Sequence, residues 1–462
     1  MLFSSISFLY YFLPILLIIY FIVGKKYKNI VLLIFSLFFY FYGEPVYIVI
    51  LILSCIVNYT FGILIEKYRS RAKLLLVLGL VIDLGLLFFF KYTNFFIDNI
   101  NTLFSSNISI LEVIMPIGIS FFTFQTISYL IDVYKKDVEA SKSIVNFSTY
   151  VCLFPQLVAG PIVRYVTIDE ELKDRKHSFE LTSKGIKRFI TGLGKKVILA
   201  NSLGMLVEIM ADVSEVSVLS GWLKAIAYTL QIYFDFSGYS DMAIGLGLIF
   251  GFKFLENFNY PFIAKSITEF WRRWHISLSS FLRDYVYIPL GGNRVNLLKW
   301  IRNIFIVWAL TGFWHGASWN FIIWGVYFAV LLLGEKLLWG KLIKNRVVGH
   351  IYTSILVIIS FVIFSAIDLA DIGTNLSIMF NVNSIDLINK ESLYYLQSYG
   401  IILVIALIGS TPLCKNIYES LKEKKVYKVI SNLEFIWYIG LFLVVTAFLV
   451  DASFNPFLYF RF

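Results

Sequence analysis

Ile301–Gly325 runs IRNIFIVWALTGFWHGASWNFIIWG, two aromatic-rich apolar runs joined at His315-Gly316. Four of the chain's ten tryptophans fall in it (Trp308, Trp314, Trp319 and Trp324), and Arg302, near its start, is its only full charge. An ionisable side chain surrounded by that much apolar sequence is expensive to bury, so His315 is read as a functional position. The competing reading is a core histidine satisfied by a backbone carbonyl or a nearby hydroxyl. The longer stretch 302–335 starts on Arg302 and is followed by Lys336, Lys341, Lys344 and Arg346. Both flanks are therefore cytoplasmic. The segment must rise and return, as a helical hairpin with His315 at its tip.

The composition around it is that of a membrane protein. The chain has 462 residues, 59% of them hydrophobic and 15% charged, with a mean hydropathy of +0.78. Soluble domains carry ~25% charged residues. Apolar runs long enough to cross ~30 Å of hydrocarbon recur along nearly the whole length. Their backbone hydrogen bonds must close internally and they are too long for barrel strands, so the expected fold is an all-α polytopic bundle forming one integral-membrane domain over 1–462. The net charge of +10 comes from Lys and Arg in short loops, which the positive-inside pattern explains without a nucleic-acid partner. Cys55, Cys152 and Cys414 are isolated in sequence, with no CxxC or Cys/His metal spacing.

Spans are expected at about 7–23, 29–42, 46–65, 74–97 and 114–131, an outward run at 186–200 and a return at 219–234, the two passes of the hairpin, and later spans near 350–370, 397–413 and 433–450, giving roughly eleven to thirteen passes. The first apolar run has its positive charges after it, so it is read as a retained span entering from outside rather than a cleaved signal. The run 145–163 is broken by FPQLVAGP and has basic residues on both sides. It is expected to be re-entrant, a form tolerated only where it is buried in protein or lines a cavity. His177, in the polar loop 164–188, reads as a solvated surface histidine, and His350 as interfacial. The ending SFNPFLYFRF reads as a tail packed at the interface.

From Phe252 to Arg294 nothing is apolar enough to span. Helical spacing puts Trp271, Trp274, His275, Leu278, Leu282 and Tyr285 on one face, with Arg272, Ser279 and Arg283 on another. The expected element is an amphipathic cytoplasmic-side helix pressing His275 against the bundle. Arg272 and Arg273 beside His275 disfavour its protonation, leaving a neutral imidazole able to accept a proton. Arg272, Arg273 and Arg283 suit the phosphates of a donor, although positive-inside topology or anionic lipid explains them equally. With Trp271, Trp274, Asp284, Trp314 and Asn320 they make up the candidate substrate- and donor-binding set. Asp235 and Asp241 fit proton-relay or hydrogen-bonding roles. No Gly-x-Ser-x-Gly, His-Glu-x-x-His or P-loop occurs.

FNYPFIAKSITEFWRRWHISLSSFLRDYVYIPLGG together with GFWHGASWNFIIWG resembles the membrane-bound O-acyltransferases, in the branch of the alginate O-acetyltransferase and teichoic acid D-alanyltransferase membrane subunits. The resemblance extends to MLFSSISFLYYFLPI, PQLVAGPIVR and PFLYFRF. It implies a ring of tilted helices with re-entrant segments around a central tunnel, with 252–325 as the catalytic block. It also implies that His315 is the catalytic histidine and His275 the second active-site position. No bound cofactor is implied; an acyl thioester such as acetyl-CoA is the donor substrate. The implied acceptor is a hydroxyl of an extracellular or cell-wall polysaccharide, reached through an extracytoplasmic SGNH-hydrolase-like partner at the bacterial plasma membrane. Chain length and ending favour acetyl over D-alanyl transfer. A transporter or flippase, also built from broken helices with buried charges, is the alternative of a different class.

Overall fold

The computed structural model describes residues 1–422, 424, 427–451, 457 and 458; of the aromatic ending, only Phe457 and Leu458 are among them. Every regular element in this set is helical. The helices are α1 (Leu13–Ile22), α2 (Lys28–Gly43), α3 (Ile48–Lys67), α4 (Ala72–Lys91), α5 (Thr93–Phe104), α6 (Ile119–Lys135), α7 (Ile144–Cys152), α8 (Phe154–Leu157), α9 (Tyr165–Lys173), α10 (Phe179–Gly194) and α11 (Asn201–Ala211). There follow α12 (Val218–Ile249), α13 (Ile267–Trp271), α14 (Ile276–Leu282), α15 (Leu297–His315), α16 (Trp319–Leu337), α17 (Arg346–Ser365), α18 (Leu369–Met379), α19 (Lys390–Gly409), α20 (Leu413–Lys422) and α21 (Tyr427–Asp451). Side-chain caps start several of them. Ser143 accepts from Asn146 N at α7, Asn296 from Lys299 N at α15, and Asn389 forms a capping box with Ser392 at α19.

Seven stretches among the described residues are long and apolar enough to cross a membrane: Ile48–Lys67, Arg69–Lys91, Phe179–Ala211, Trp319–Leu337, Arg346–Ser365, Lys390–Gly409 and Ser431–Asp451, with the shorter Phe8–Ile22 beside them. That is fewer than the eleven to thirteen expected, because helices such as α2 (16 residues), α6 (17 residues) and α7 (9 residues) fall short of the length. The apolar window of Ser431–Asp451 is only 6% buried. So large an apolar face is stable only against lipid. The chain is a multi-pass membrane protein.

The chain divides into two compact units, Met1–Phe189 with Tyr239–Leu255, and Ile190–Gly238 with Glu256–Phe462. In the first, Phe3, Phe8, Phe12, Phe39 and Phe154 form an aromatic core. A buried polar chain runs from Asn58 Nδ2 to Asp83 (2.8 Å), whose other oxygen accepts from Thr126 at 3.0 Å. Cys55 and Cys152, distant in sequence, meet as free thiols 3.6 Å apart. The FPQLVAGP run is broken as expected: α7 ends at Cys152, α8 is a single turn, and residues 149–163 are all buried. Neither piece reaches span length. Arg188 pairs with Asp241 at 2.9 Å, which gives Asp241 a structural partner.

The second unit is organised around tryptophans and phenylalanines from α12–α17. Lys196 and Asp235 form an ion pair there, with side chains 4% and 2% exposed. The other Asp235 oxygen accepts from the Leu458 backbone N–H at 2.8 Å. His350 is exposed, its Nδ1 3.3 Å from the Ala264 carbonyl oxygen. It sits on the rim of a largely apolar cavity of about 290 Å³ between α12, the 261–263 turn, α17 and the end of α19.

Candidate active site

The hairpin expected around His315 is present as α15 and α16, separated by Gly316–Ser318. Its two helices touch at glycines. A Cβ on Gly312 would overlap the Phe321 carbonyl, and one on Gly325 would overlap the Trp308 carbonyl. Small residues at such a crossing let backbones approach to contact distance. The crossing fixes where α15 ends, and its last residue is His315, 4% exposed. The imidazole lies edge-on to Trp314 (4.9 Å between centroids), Trp324 (5.1 Å) and Phe364 (5.2 Å). Asn320, in the first turn of α16, donates to the Phe364 and Ala366 carbonyls at 3.1 and 3.0 Å. Both bonds clamp α16 to the end of α17, leaving its Oδ1 for any other contact.

His275 does not lie on a continuous amphipathic helix. The expected face is buried as read, through Trp271, Trp274, Leu278 and Leu282, but the helix breaks in two, α13 and α14, at Arg272–His275. His275 has φ 44° and ψ 54°, a left-handed conformation that costs a non-glycine residue ~1–2 kcal/mol. The cause is the segment at Asn257–Asn259. Asn259 N–H donates to the Arg273 carbonyl at 2.9 Å, and Ile276 N–H donates to the Asn257 carbonyl at 3.0 Å. These bonds replace the helical ones.

The same segment sets the state of the imidazole. Asn257 Oδ1 accepts from Ser277 N–H (3.3 Å) and Ser277 Oγ (2.8 Å), and lies 3.1 Å from His275 Nδ1. A backbone N–H only donates, so the atom it meets is the amide oxygen. Nδ1 therefore carries the hydrogen and Nε2 the lone pair. Nε2 is buried with no hydrogen-bond partner among the described residues. Desolvation by complete burial holds the imidazole pKa well below its usual range, so it is neutral at neutral pH. The state is the expected one, but burial produces it rather than Arg272 and Arg273.

Trp314 joins the two histidines, its ring 5.8 Å from His275 and 4.9 Å from His315. Phe236 closes the far side of His275 at 4.7 Å. Beyond His315, Trp324 continues to Trp271 (5.6 Å), which packs on Trp308 (4.6 Å) and Phe328 (4.9 Å). The Nε1 atoms of Trp271 and Trp324 are buried without a partner among the described residues. Native structures pair most buried polar atoms; here three unpaired ones lie along one connected aromatic wall.

The remaining expected residues divide. Trp274 is core, stacked on Phe270 at 5.5 Å and tilted against Phe361 at 5.2 Å. Arg273 is bound to Glu269 and the Asn259 carbonyl. Arg283 and Asp284 pair with each other at 2.6 Å. Arg272 is exposed. Asn257, Ser277, Phe236 and Phe364 complete the site and were not singled out from the sequence. Ser277 is two residues from His275, but no spacing rule connects Asn257, eighteen residues upstream, to the imidazole.

A helical multi-pass protein with two buried imidazoles, one neutral with a free lone pair, bridged by an indole, is equipped for proton transfer at a buried site. The membrane-bound O-acyltransferase family, MBOAT, matches residues 139–372, and the chain belongs to this family. It is an O-acyltransferase. Among its relatives is the probable alginate O-acetylase AlgI of Pseudomonas aeruginosa, 40% identical over 444 residues covering 94% of this chain and 85% of that protein. The peptidoglycan O-acetyltransferase of Helicobacter pylori is 39% identical over 72% of this chain and 70% of that protein. The teichoic acid D-alanyltransferase of Bacillus subtilis is 30% identical over 53% of this chain and 65% of that protein.

Proposed function

We propose that the chain moves an acetyl group from a cytoplasmic thioester such as acetyl-CoA toward hydroxyls of an extracellular or cell-wall polysaccharide. The observation that carries it is the pair of buried imidazoles on either side of Trp314, with His275 Nε2 left as an unpaired acceptor. His315 takes the proton of the attacking hydroxyl. The hydroxyl oxygen adds to the thioester carbonyl, the C–O ester bond forms, the C–S bond breaks, and the thiolate leaves with the proton. His275, neutral and fixed in one tautomer, accepts a hydrogen bond from the incoming group and orients it. The aromatic wall keeps water from the thioester. The whole chain acts as one integral-membrane domain with 252–325 as its catalytic block. An extracytoplasmic SGNH-hydrolase-like acyltransferase is the proposed partner for the last transfer. Acetyl is preferred to D-alanyl because the O-acetyltransferase relatives match more of the chain at higher identity.

The test is mass spectrometry of ester-linked acids released from the envelope polymers of cells carrying wild type, His315→Ala or no gene, at equal protein levels. Acetate falls to the deletion level in His315→Ala. Loss of D-alanine instead transfers the reading to the D-alanyl reaction, and unchanged ester content removes His315 from catalysis.

A further inference from the structure

The first unit contains a second built site, remote from His275 and His315 in sequence. Lys25, Lys26, Lys28 and Asn29 around the start of α2, Asn146 on α7, and Glu171–Arg175 with His177 at and after the end of α9 line a cavity of about 140 Å³. That is several times the ~30 Å³ share of one water. Its wall carries Lys25, Lys26, Lys28, Lys173 and Arg175 against two carboxylates, Glu171 and Asp174. Lys173 is held by Asp169 at 2.6 Å. Lys25 meets Asp174 at 3.5 Å in an exposed pair, a kind that contributes little. Lys28 Nζ lies 4.5 Å over the Tyr20 ring.

Arg175 is 8% exposed. Its Nη2 donates to Asn29 Oδ1, and its Cζ lies 4.4 Å over the Phe252 ring. Its Nη1 is buried and has no hydrogen-bond partner among the described residues. Asn29 cannot turn to help, because its Nδ2 already donates to Asn146 Oδ1 and the Leu172 carbonyl, both at 2.8 Å. His177, expected as a solvated residue, is half-buried, with Nε2 2.9 Å from the Tyr20 hydroxyl and 3.4 Å from Lys28 Nζ. Burial first, then Lys28 and Arg175, lower its pKa. The pocket holds more positive charge than its own carboxylates compensate, around a guanidinium with an N–H to spare.

We propose that this pocket is a phosphate-binding site, in which Arg175 and Lys28 grip the oxygens of a phosphate ester and Lys25 and Lys26 supply the surrounding field. A planar guanidinium with a free N–H beside an ammonium is the pairing that phosphate oxygens favour. The ester belongs either to a lipid headgroup or to a soluble phosphorylated molecule. Two probes separate these sources on the full-length chain in maltoside detergent: pyrophosphate by isothermal titration calorimetry, and dioctanoyl phosphatidylglycerol by native mass spectrometry. Wild type binds one equivalent of at least one probe, and both Arg175→Gln and Lys28→Gln weaken it at least ten-fold. Saturation by the lipid alone assigns a headgroup, and by pyrophosphate alone a soluble ligand. Failure of both probes to saturate wild type overturns the proposal. So does wild-type affinity in Lys28→Gln, which remains informative if Arg175→Gln does not fold.

Discussion

Through one oxygen, Asn257 holds both the Nδ1 hydrogen of His275 and the Ser277 N–H that begins the next helix. Asn257→Ala therefore removes the acceptor and leaves a buried donor unpaired, at ~1–3 kcal/mol of stability. If that energy also orients the imidazole for reaction, turnover falls roughly 10- to 100-fold at saturating donor. Acyl-transfer rates on protein normalised by amount, with thermal melts beside them, separate the two effects. Asn257→Asp keeps an acceptor but sets a negative charge beside the imidazole. A neighbouring negative charge favours the protonated ring, so the His275 pKa rises from its burial-depressed value. The acid limb of the pH–rate profile then moves to higher pH. An unmoved limb would show that His275 does not titrate in the reaction.

Among the elements, the α15–α16 hairpin carries the most consequence for the site, because its crossing sets the position of His315. Gly325 has no room for a side chain: a Cβ there meets the Trp308 carbonyl. Gly325→Leu pushes the helices apart at an overpacking cost of ~1–3 kcal/mol, and it displaces Trp324 and His315 from their edge-on contacts. Activity is expected to fall further than stability. In contrast, substitution at Gly373 or Gly400, where a Cβ meets nothing within 4 Å, leaves both nearly unchanged. Melting temperature and ester release measured on the same samples decide this. The break at His275 is the other informative element, since it turns a continuous amphipathic pattern into two short helices with the imidazole at the joint.

At the scale of the whole molecule, a buried ion pair ties distant parts of the chain. Lys196 lies on the π-helical turn between α10 and α11, Asp235 on α12, and Leu458 in the aromatic ending. Asp235→Asn leaves the Lys196 charge buried without its carboxylate, a loss of ~3–5 kcal/mol. Replacing both residues, as Lys196→Met with Asp235→Leu, is expected to be milder than either single change, because no charge remains to desolvate. Thermal unfolding of the two single variants and the double variant in detergent checks the ordering. A double variant at least as unstable as the singles would show that the ionic contact itself, rather than avoidance of an unpaired charge, stabilises the molecule.

The helical class, the membrane and the hairpin were legible in the amino-acid sequence, which also singled out His315 as a candidate. These follow from apolar run length, Lys and Arg in the loops, and one ionisable residue between tryptophans, all of which are local or periodic properties. It also placed Trp271, Trp274 and His275 on a buried face, because helical spacing survives a short break. Folding alone sets the break itself, the left-handed backbone of His275, its tautomer, and the pairing of Arg273 and Arg283 with Glu269 and Asp284. It also turned His177 from a surface residue into part of a basic pocket. Each depends on a partner eighteen or more residues away or on a rotamer choosing the nearest carboxylate. Neither leaves a period in the sequence, because long-range hydrogen bonds form wherever packing brings donor and acceptor together.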